Sequence, residues 1–374
     1  YSKVMKIKIS KKNLILICVL ALVFIAVIFV QNHPSLILSV MKLFNPSYET
    51  PAITFETYDS CDFAKTDGAF VAAYPDGIAF YDSSLKEKQR DNSSGTNPVI
   101  KTDGKNTLIY YGTEKRAVIK LNTKVLYISS DYPILNATVN KNGNFALVTE
   151  ESGFKSRIVV YNKNGDQIYV WHSADAYLTD ASLSDDGKMM VASALYSGND
   201  GISSKVLVFS LSESKPIAQI DKKGEAIYSA AFCGGKKILV ISDAKTGMYN
   251  TDASSIWEED YSKKQLFTYN YSGSNIILAT GNTSSATEKV SIKILSLSGR
   301  LKGEYIHQGE VLGTSIGKNG VLAYGKNSLT LISFGGREKS SVTLGIEIKK
   351  AFLSDDGKSV FAVSNSIGKI YYLR

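Results

Sequence analysis

The chain has 374 residues, 44% of them hydrophobic, with 22 tyrosines, 15 phenylalanines and only 7 prolines, a composition that suits pleated, half-buried strands and a large core. The formal net charge of +8 would point to nucleic acid if it were spread over a domain. It is not: residues 1–48 hold six lysines (Lys3, Lys6, Lys8, Lys11, Lys12, Lys42) and no acid, which leaves 37 basic against 35 acidic residues elsewhere and excludes that reading.

Leu14 to Val30 (LILICVLALVFIAVIFV) is an unbroken, uncharged apolar run, and with Asn13 and Gln31 it is long enough to cross a bilayer as a helix. Five lysines precede it and none follows until Lys42, so the positive-inside rule keeps residues 1–12 in the cytoplasm and exports the rest. A cleaved signal peptide would have a shorter apolar region and a small-x-small site. Phe29-Val-Gln-Asn-His-Pro34 offers no such site, and the expectation is an uncleaved anchor over 13–31. Proline disfavours helix at and before itself, so Asn32-His33-Pro34 should end the span. Residues 32–52 then read as a juxtamembrane segment and linker, with Leu36–Phe44 apolar again and Asn45–Pro51 turn-rich.

From residue 53 to 374 the chain consists of short β-rich runs punctuated by Gly, Asn, Asp and Ser. Two stretches read almost alike: Ala181-Ser-Leu-Ser-Asp-Asp-Gly-Lys188 and Ala351-Phe-Leu-Ser-Asp-Asp-Gly-Lys358, each followed by an apolar run. The unit is strand, tight polar turn, strand. Eight copies align, with turn residues Gly68, Gly104, Gly143, Gly187, Gly235, Gly273, Gly320 and Gly357. A period of about 40 residues with about four short strands per copy predicts an all-β, eight-bladed β-propeller. Seven blades result if a weak copy (Gly104 or Gly273) is mis-registered. Glycine accepts the positive φ of a tight turn, so the Asp-Asp-Gly motifs read as turn chemistry; no calcium-loop spacing surrounds Asp185, Asp186, Asp355 or Asp356. The eighth copy has three strands and ends at Arg374, while the run Ile53–Tyr58 stands spare ahead of the first. Placing that run as the outer strand of the last blade closes the ring and removes an exposed edge.

In such blades the loops between second and third strands share one face with the connections between blades. Copies three to six carry the longer loops there: Glu150–Ser156, Tyr196–Ser204, Asp243–Asn250 and Asn282–Glu288. Loops on a rigid scaffold are where binding resides. The candidate binding residues on this face are Phe154, Tyr196, Asn199, Asp200, Met248 and Tyr249, against the bland alternative of solvated hairpin tips. Trp171 and Trp257 fit outer-strand packing.

Catalytic signals are sparse. His172 and His307 each end an outer strand, and there is no His-x-x-x-His or Cys-x-x-Cys metal spacing. Neither a Gly-x-Ser-x-Gly elbow nor a phosphate loop occurs. No cofactor is expected. Cys18 lies in the apolar run, and Cys61 and Cys233 belong to copies four apart, which suits two buried small hydrophobes better than a disulfide.

The lysine tail and apolar run at Lys3–Val30, the lead-in Ile53–Tyr58 with Cys61-Asp-Phe63, and the Gly-closed repeats resemble an uncharacterised family of signal-anchored β-propeller proteins from clostridial Gram-positive bacteria, a domain of unknown function. The repeats are also generically similar to WD-type and quinoprotein-type propellers, though the Trp-Asp dipeptide and a recurring tryptophan docking motif are absent. These features together suggest a cell-membrane protein, single-pass, with its propeller outside. Its expected role is a non-enzymatic binding or scaffold module for a protein or cell-envelope component. A rival is an envelope-glycan hydrolase or lyase with carboxylates converging in the central funnel, and a third is a structural spacer.

Overall fold

The computed structural model describes residues 50–374 apart from 57–59, 123, 199–200, 283–288 and 374. The expected tail, membrane helix and most of the juxtamembrane segment fall outside these. Among the described residues no helix is long and apolar enough to cross a membrane. What they form is an eight-bladed β-propeller: eight four-stranded antiparallel sheets, seven of them built from four consecutive strands. All eight aligned copies are blades.

The repeat grammar has a packing cause. Eight apolar clusters lie among the described residues, and each fills the space between two neighbouring sheets rather than lying within one. A sheet in this arrangement buries both of its faces, so its second strand reads as a continuous apolar run rather than an alternating one. Phe145–Thr149 of blade 3 and Ile238–Ser242 of blade 5 are buried at every position. Outer strands such as Glu87–Asp91 lie mostly in solvent and are accordingly polar.

The twin motifs are twin turns. Asp186 Oδ1 accepts from Ser184 Oγ (2.6 Å) and the Lys188 amide (3.1 Å), and Asp356 Oδ1 accepts from Ser354 Oγ (2.6 Å) and the Lys358 amide (3.0 Å). Gly187 and Gly357 sit at φ of 67° and 71°, which a side chain adopts only under strain. The first aspartate of each pair reaches a neighbouring blade instead. Asp185 meets Lys141 at 3.1 Å, and Asp355 meets Lys65 at 2.6 Å and the Gly68 amide at 3.0 Å.

Ring closure follows the expectation in kind and differs in length. Ala52–Thr54 forms the outer strand of blade 8, paired antiparallel with Ile367–Tyr372 through Ile53 opposite Gly368. The expected strand ran to Tyr58, whereas the observed one ends at Thr54. The reason is distance. A strand running on to Tyr58 would leave only three residues to cross three strand spacings of about 4.8 Å, from the outer edge of blade 8 to the innermost strand of blade 1, which begins at Asp62. Phe55 uses the crossing to pack on Phe63, ring centroids 4.9 Å apart.

Candidate functional site

The first strand of each blade lies innermost and runs from the loop face, which carries the blade-to-blade connections, to the face of the tight turns. Because Ala52–Thr54 pairs antiparallel with the third strand of blade 8, the chain enters the propeller on the turn face. The loop face is therefore opposite the one at which Ala52 begins its strand.

Of the six residues expected there, the structure keeps one as an exposed apolar side chain. Phe154 is on the loop of blade 3, 44% exposed, its ring 4.9 Å from that of His172; His172 Nδ1 is paired with Glu151. Tyr196 is half-buried beneath Lys205, whose Nζ lies 5.3 Å from the ring centre and 3.0 Å from Asp175. The segment around it is no loop but an extension of two paired strands, Met189–Gly198 and Gly201–Ser210. Asn199 and Asp200 fall outside the described residues.

Met248 and Tyr249 are core. They lie in the strand Lys245–Tyr249, almost wholly buried, and the loop expected over Asp243–Asn250 is a tight turn at Asp243-Ala244. Gly247, within that range, is in the strand for packing: a Cβ there would meet the Tyr249 ring at 2.9 Å and Glu258 at 3.1 Å. Tyr249 donates its hydroxyl to Glu258, which also takes Lys222 at 2.7 Å. Burial first, then this bond and the carboxylate's charge, push the phenol far above its usual range. The two tryptophans are in outer strands as expected: Trp171 packs on Phe209 of blade 4, and Trp257 Nε1 donates to Leu297 O of blade 6 at 2.9 Å.

Other residues take the places of those lost. Ile202 (63% exposed), Tyr177 (54%), Tyr228 (48%) and Leu135 (41%) stand with Phe154 toward the loop face of blades 3, 4 and 5. Lys155 Nζ donates to Tyr177 Oη at 3.4 Å, joining the edges of blades 3 and 4. A sequence signal for part of this set exists. The inner strands of blades 3 to 6 each shift register near their start, at Ile134/Asn136, Leu178/Asp180, Ile227/Ser229 and Leu266/Thr268. A β-bulge of this kind turns the extra residue out of the ladder. The extra residues are Leu135, Thr179, Tyr228 and Phe267, and the recurring small-polar–Ala step after three of them (Asn136-Ala137, Asp180-Ala181, Ser229-Ala230) marks the position.

Inside the ring lies a cavity of about 340 Å³ lined by the inner strands of blades 2 to 6, with Lys101, Asn136, Asp180, Ser229, Tyr269 and Tyr271 on its walls and Tyr228 toward its loop-face rim. Tyr269 Oη donates to Tyr228 O at 3.2 Å, and the two rings are parallel within 2° at 6.5 Å. Among the described inner strands the carboxylates are Asp62 and Asp180. Asp62 is paired with Lys350 and accepts from the Ile100 amide at 2.8 Å. Asp180 accepts weakly from Ser229 Oγ (3.4 Å) and Asn136 Nδ2 (3.5 Å).

Desolvation by the surrounding protein raises the Asp180 pKa, against the opposing pull of Lys101 and the amides of Ala181 and Ala230. A carboxylate whose folded pKa lies above its unfolded value favours the native state at low pH and loses that contribution as pH rises through the folded pKa. Asp180→Asn keeps an acceptor oxygen and removes the charge. The variant should melt above the parent at pH 7, with the difference vanishing below pH about 4, where the unfolded aspartate is itself protonated. Melting curves from pH 3 to 8 check this; a lower melting temperature at pH 7 would overturn it. Cys61 and Cys233 are free and buried, and burial pushes the Cys61 thiol up to about 11.

Over residues 47–371 the chain matches one family model, described as a family of unknown function (DUF5711). No curated protein matches it. Among solved structures it is similar to the C-terminal WD40 domain of Sif2, at 12% identity and a TM-score of 0.62 over 88% of this chain and all of that one. Sqt1 of Chaetomium thermophilum gives 11% and 0.58 over 87% and 98%. BamB of Moraxella catarrhalis gives 11% and 0.55 over 86% and 99%. At such identities the likeness shows the propeller fold and nothing of the chemistry.

Proposed function

The chain belongs to that family of unknown function (DUF5711), and from this premise we propose that it is a membrane-tethered extracytoplasmic propeller that docks a protein or envelope component without transforming it. The observation that carries the reading is the set of exposed apolar side chains on the loop face of blades 3 to 5, Leu135, Phe154, Tyr177, Ile202 and Tyr228. That face is opposite the one on which the chain arrives from its N-terminal segment. With Leu14–Val30 as a signal-anchor in the cell membrane, the turn face looks toward the bilayer and the apolar crescent toward whatever lies beyond it.

The rival hydrolase or lyase needs two carboxylates flanking a bond at about 5–10 Å. The inner strands offer Asp62, which is committed to Lys350 and two amides, and Asp180, which is a lone carboxylate in its cavity. This favours binding over catalysis. A spacer would leave the crescent idle.

Photo-crosslinking in intact cells separates these readings. A benzophenone side chain at Ile202 or Tyr228 should give discrete adducts, and one at Ile256 on an outer strand should not. Tyr177→Asp with Ile202→Asp should cut adduct yield about tenfold or more, as expected for central interface side chains. Equal adducts at all sites would favour the spacer, and cleavage of envelope polysaccharide by the purified chain would favour the enzyme. A membrane-impermeant maleimide should label Ile202→Cys in intact cells; failure to label would overturn the outward placement.

A further inference from the structure

We propose that the central cavity is a binding site for a neutral saccharide of one or two rings. Its volume of about 340 Å³ matches a ligand of that size. The walls are unlike those of an apolar-ligand pocket. They present hydroxyls (Thr179, Ser229, Tyr269, Tyr271), an amide (Asn136), one ammonium (Lys101) and one carboxylate (Asp180).

The charges cancel, and that selects among ligand classes. A phosphate or carboxylate ligand would meet a single lysine with Asp180 facing it, and no arginine is on the lining. A divalent cation would find one carboxylate where a hard cation takes six or more oxygens. Among the described residues no group of three or more His, Cys, Asp or Glu is placed to hold a metal. A neutral molecule dense in hydroxyls suits what remains. Its O–H groups donate to Asp180 in place of the side-chain partners Ser229 and Asn136, which stand at 3.4 and 3.5 Å, beside the amides of Ala181 and Ala230. Its oxygens accept from the Lys101 ammonium, which brings three donors.

Its C–H face needs a flat apolar surface, and Tyr228 supplies one. The ring is 48% exposed toward the rim and is backed by the parallel ring of Tyr269. A carboxylate held where burial opposes its charge also fits a residue kept in place for a ligand. The site shares Tyr228 with the loop-face crescent and requires no chemistry.

The test is saturation-transfer NMR and calorimetry on the full chain in a sugar-free zwitterionic detergent. The probes are glucose, galactose, N-acetylglucosamine and the β1,4-linked dimers cellobiose, lactose and chitobiose, with inorganic phosphate and ATP as comparators. At least one saccharide should bind saturably. Tyr228→Ala and Asp180→Asn should each weaken it tenfold or more, while Phe154→Ala should not change it. Tyr228 is at the surface, so its variant should melt with the parent and report on binding alone. No saturable binding by any of the six, binding unmoved by both cavity variants, or preference for phosphate or ATP would overturn the proposal. Cleavage of a bound dimer would leave the saccharide site standing and overturn the non-catalytic reading instead.

Discussion

A chain shortened to begin at Ser60 should lose about 3–5 kcal/mol of stability and melt about 5–10 °C lower, whereas one shortened only to Asn45 should melt with the parent. The two differ by the strand Ala52–Thr54 and the crossing segment behind it. Ile53 and Phe55 are the apolar members of that piece, and both pack against the cluster between blades 8 and 1. Phe55 meets Phe63 at 4.9 Å and Tyr74 at 6.2 Å, and these continue into Phe361 and Phe70. Partial burial of one isoleucine and one phenylalanine accounts for the expected loss, at about 1.5–3 kcal/mol for each side chain fully buried. A second consequence is separable from stability. Without its outer partner, Ile367–Tyr372 becomes an open edge of unpaired amides and carbonyls carrying Ile370, Tyr371 and Tyr372, a template for pairing with another chain. Light scattering at temperatures below the melting transition should rise for the shorter chain alone. Matching melting curves for the two truncations would mean that the ring is held shut without its first strand.

What could be read from the sequence follows from which features are local. Six of the eight aligned glycines take the positive φ of a tight turn, while Gly273 and Gly320 do not, yet the recurrence from Gly68 to Gly357 and the spare run at Ile53 made blade number and closure legible. The fate of Asp185 and Asp186 was half legible. The second aspartate of the pair caps its own turn, a local act, whereas the first reaches Lys141 of another blade. Met248 and Tyr249 were not legible as core, because a glycine demanded by the ring of Tyr249, as Gly247 is, looks the same in sequence as one demanded by a turn. The exposed crescent and the cavity were hidden for a further reason. Lys101, Asn136, Asp180, Ser229 and Tyr269 come from five blades, and a one-residue bulge at the mouth of four of them decides which side chain faces out. Strand alternation alone cannot register that shift.

Asp62→Ala should destabilise the propeller by about 3–5 kcal/mol, far more than a surface carboxylate would. The side chain joins three blades at the inner ring. It accepts from its own neighbour's amide, Phe63 N–H, at 2.8 Å, from Ile100 N–H of blade 2 at 2.8 Å, and from Lys350 of blade 8. Removing it takes this acceptor away from two part-buried amides, at about 1–3 kcal/mol each, and the carboxylate from an ammonium that retains the Phe63 carbonyl at 3.3 Å. Lys350 is one-third exposed, so water softens the ionic part of the loss and the amides dominate. Lys350→Met should therefore cost less than Asp62→Ala. The double variant should fall short of the sum by about 0.5–3 kcal/mol, the signature of a direct contact. Urea midpoints at unchanged slope would read these differences. The result also bears on function, because a carboxylate already spent on holding the ring is not free to act as an acid or a nucleophile. If Asp62→Ala unfolds with the parent, Asp62 is released from that structural duty, and the case against a catalytic pair in the funnel weakens with it.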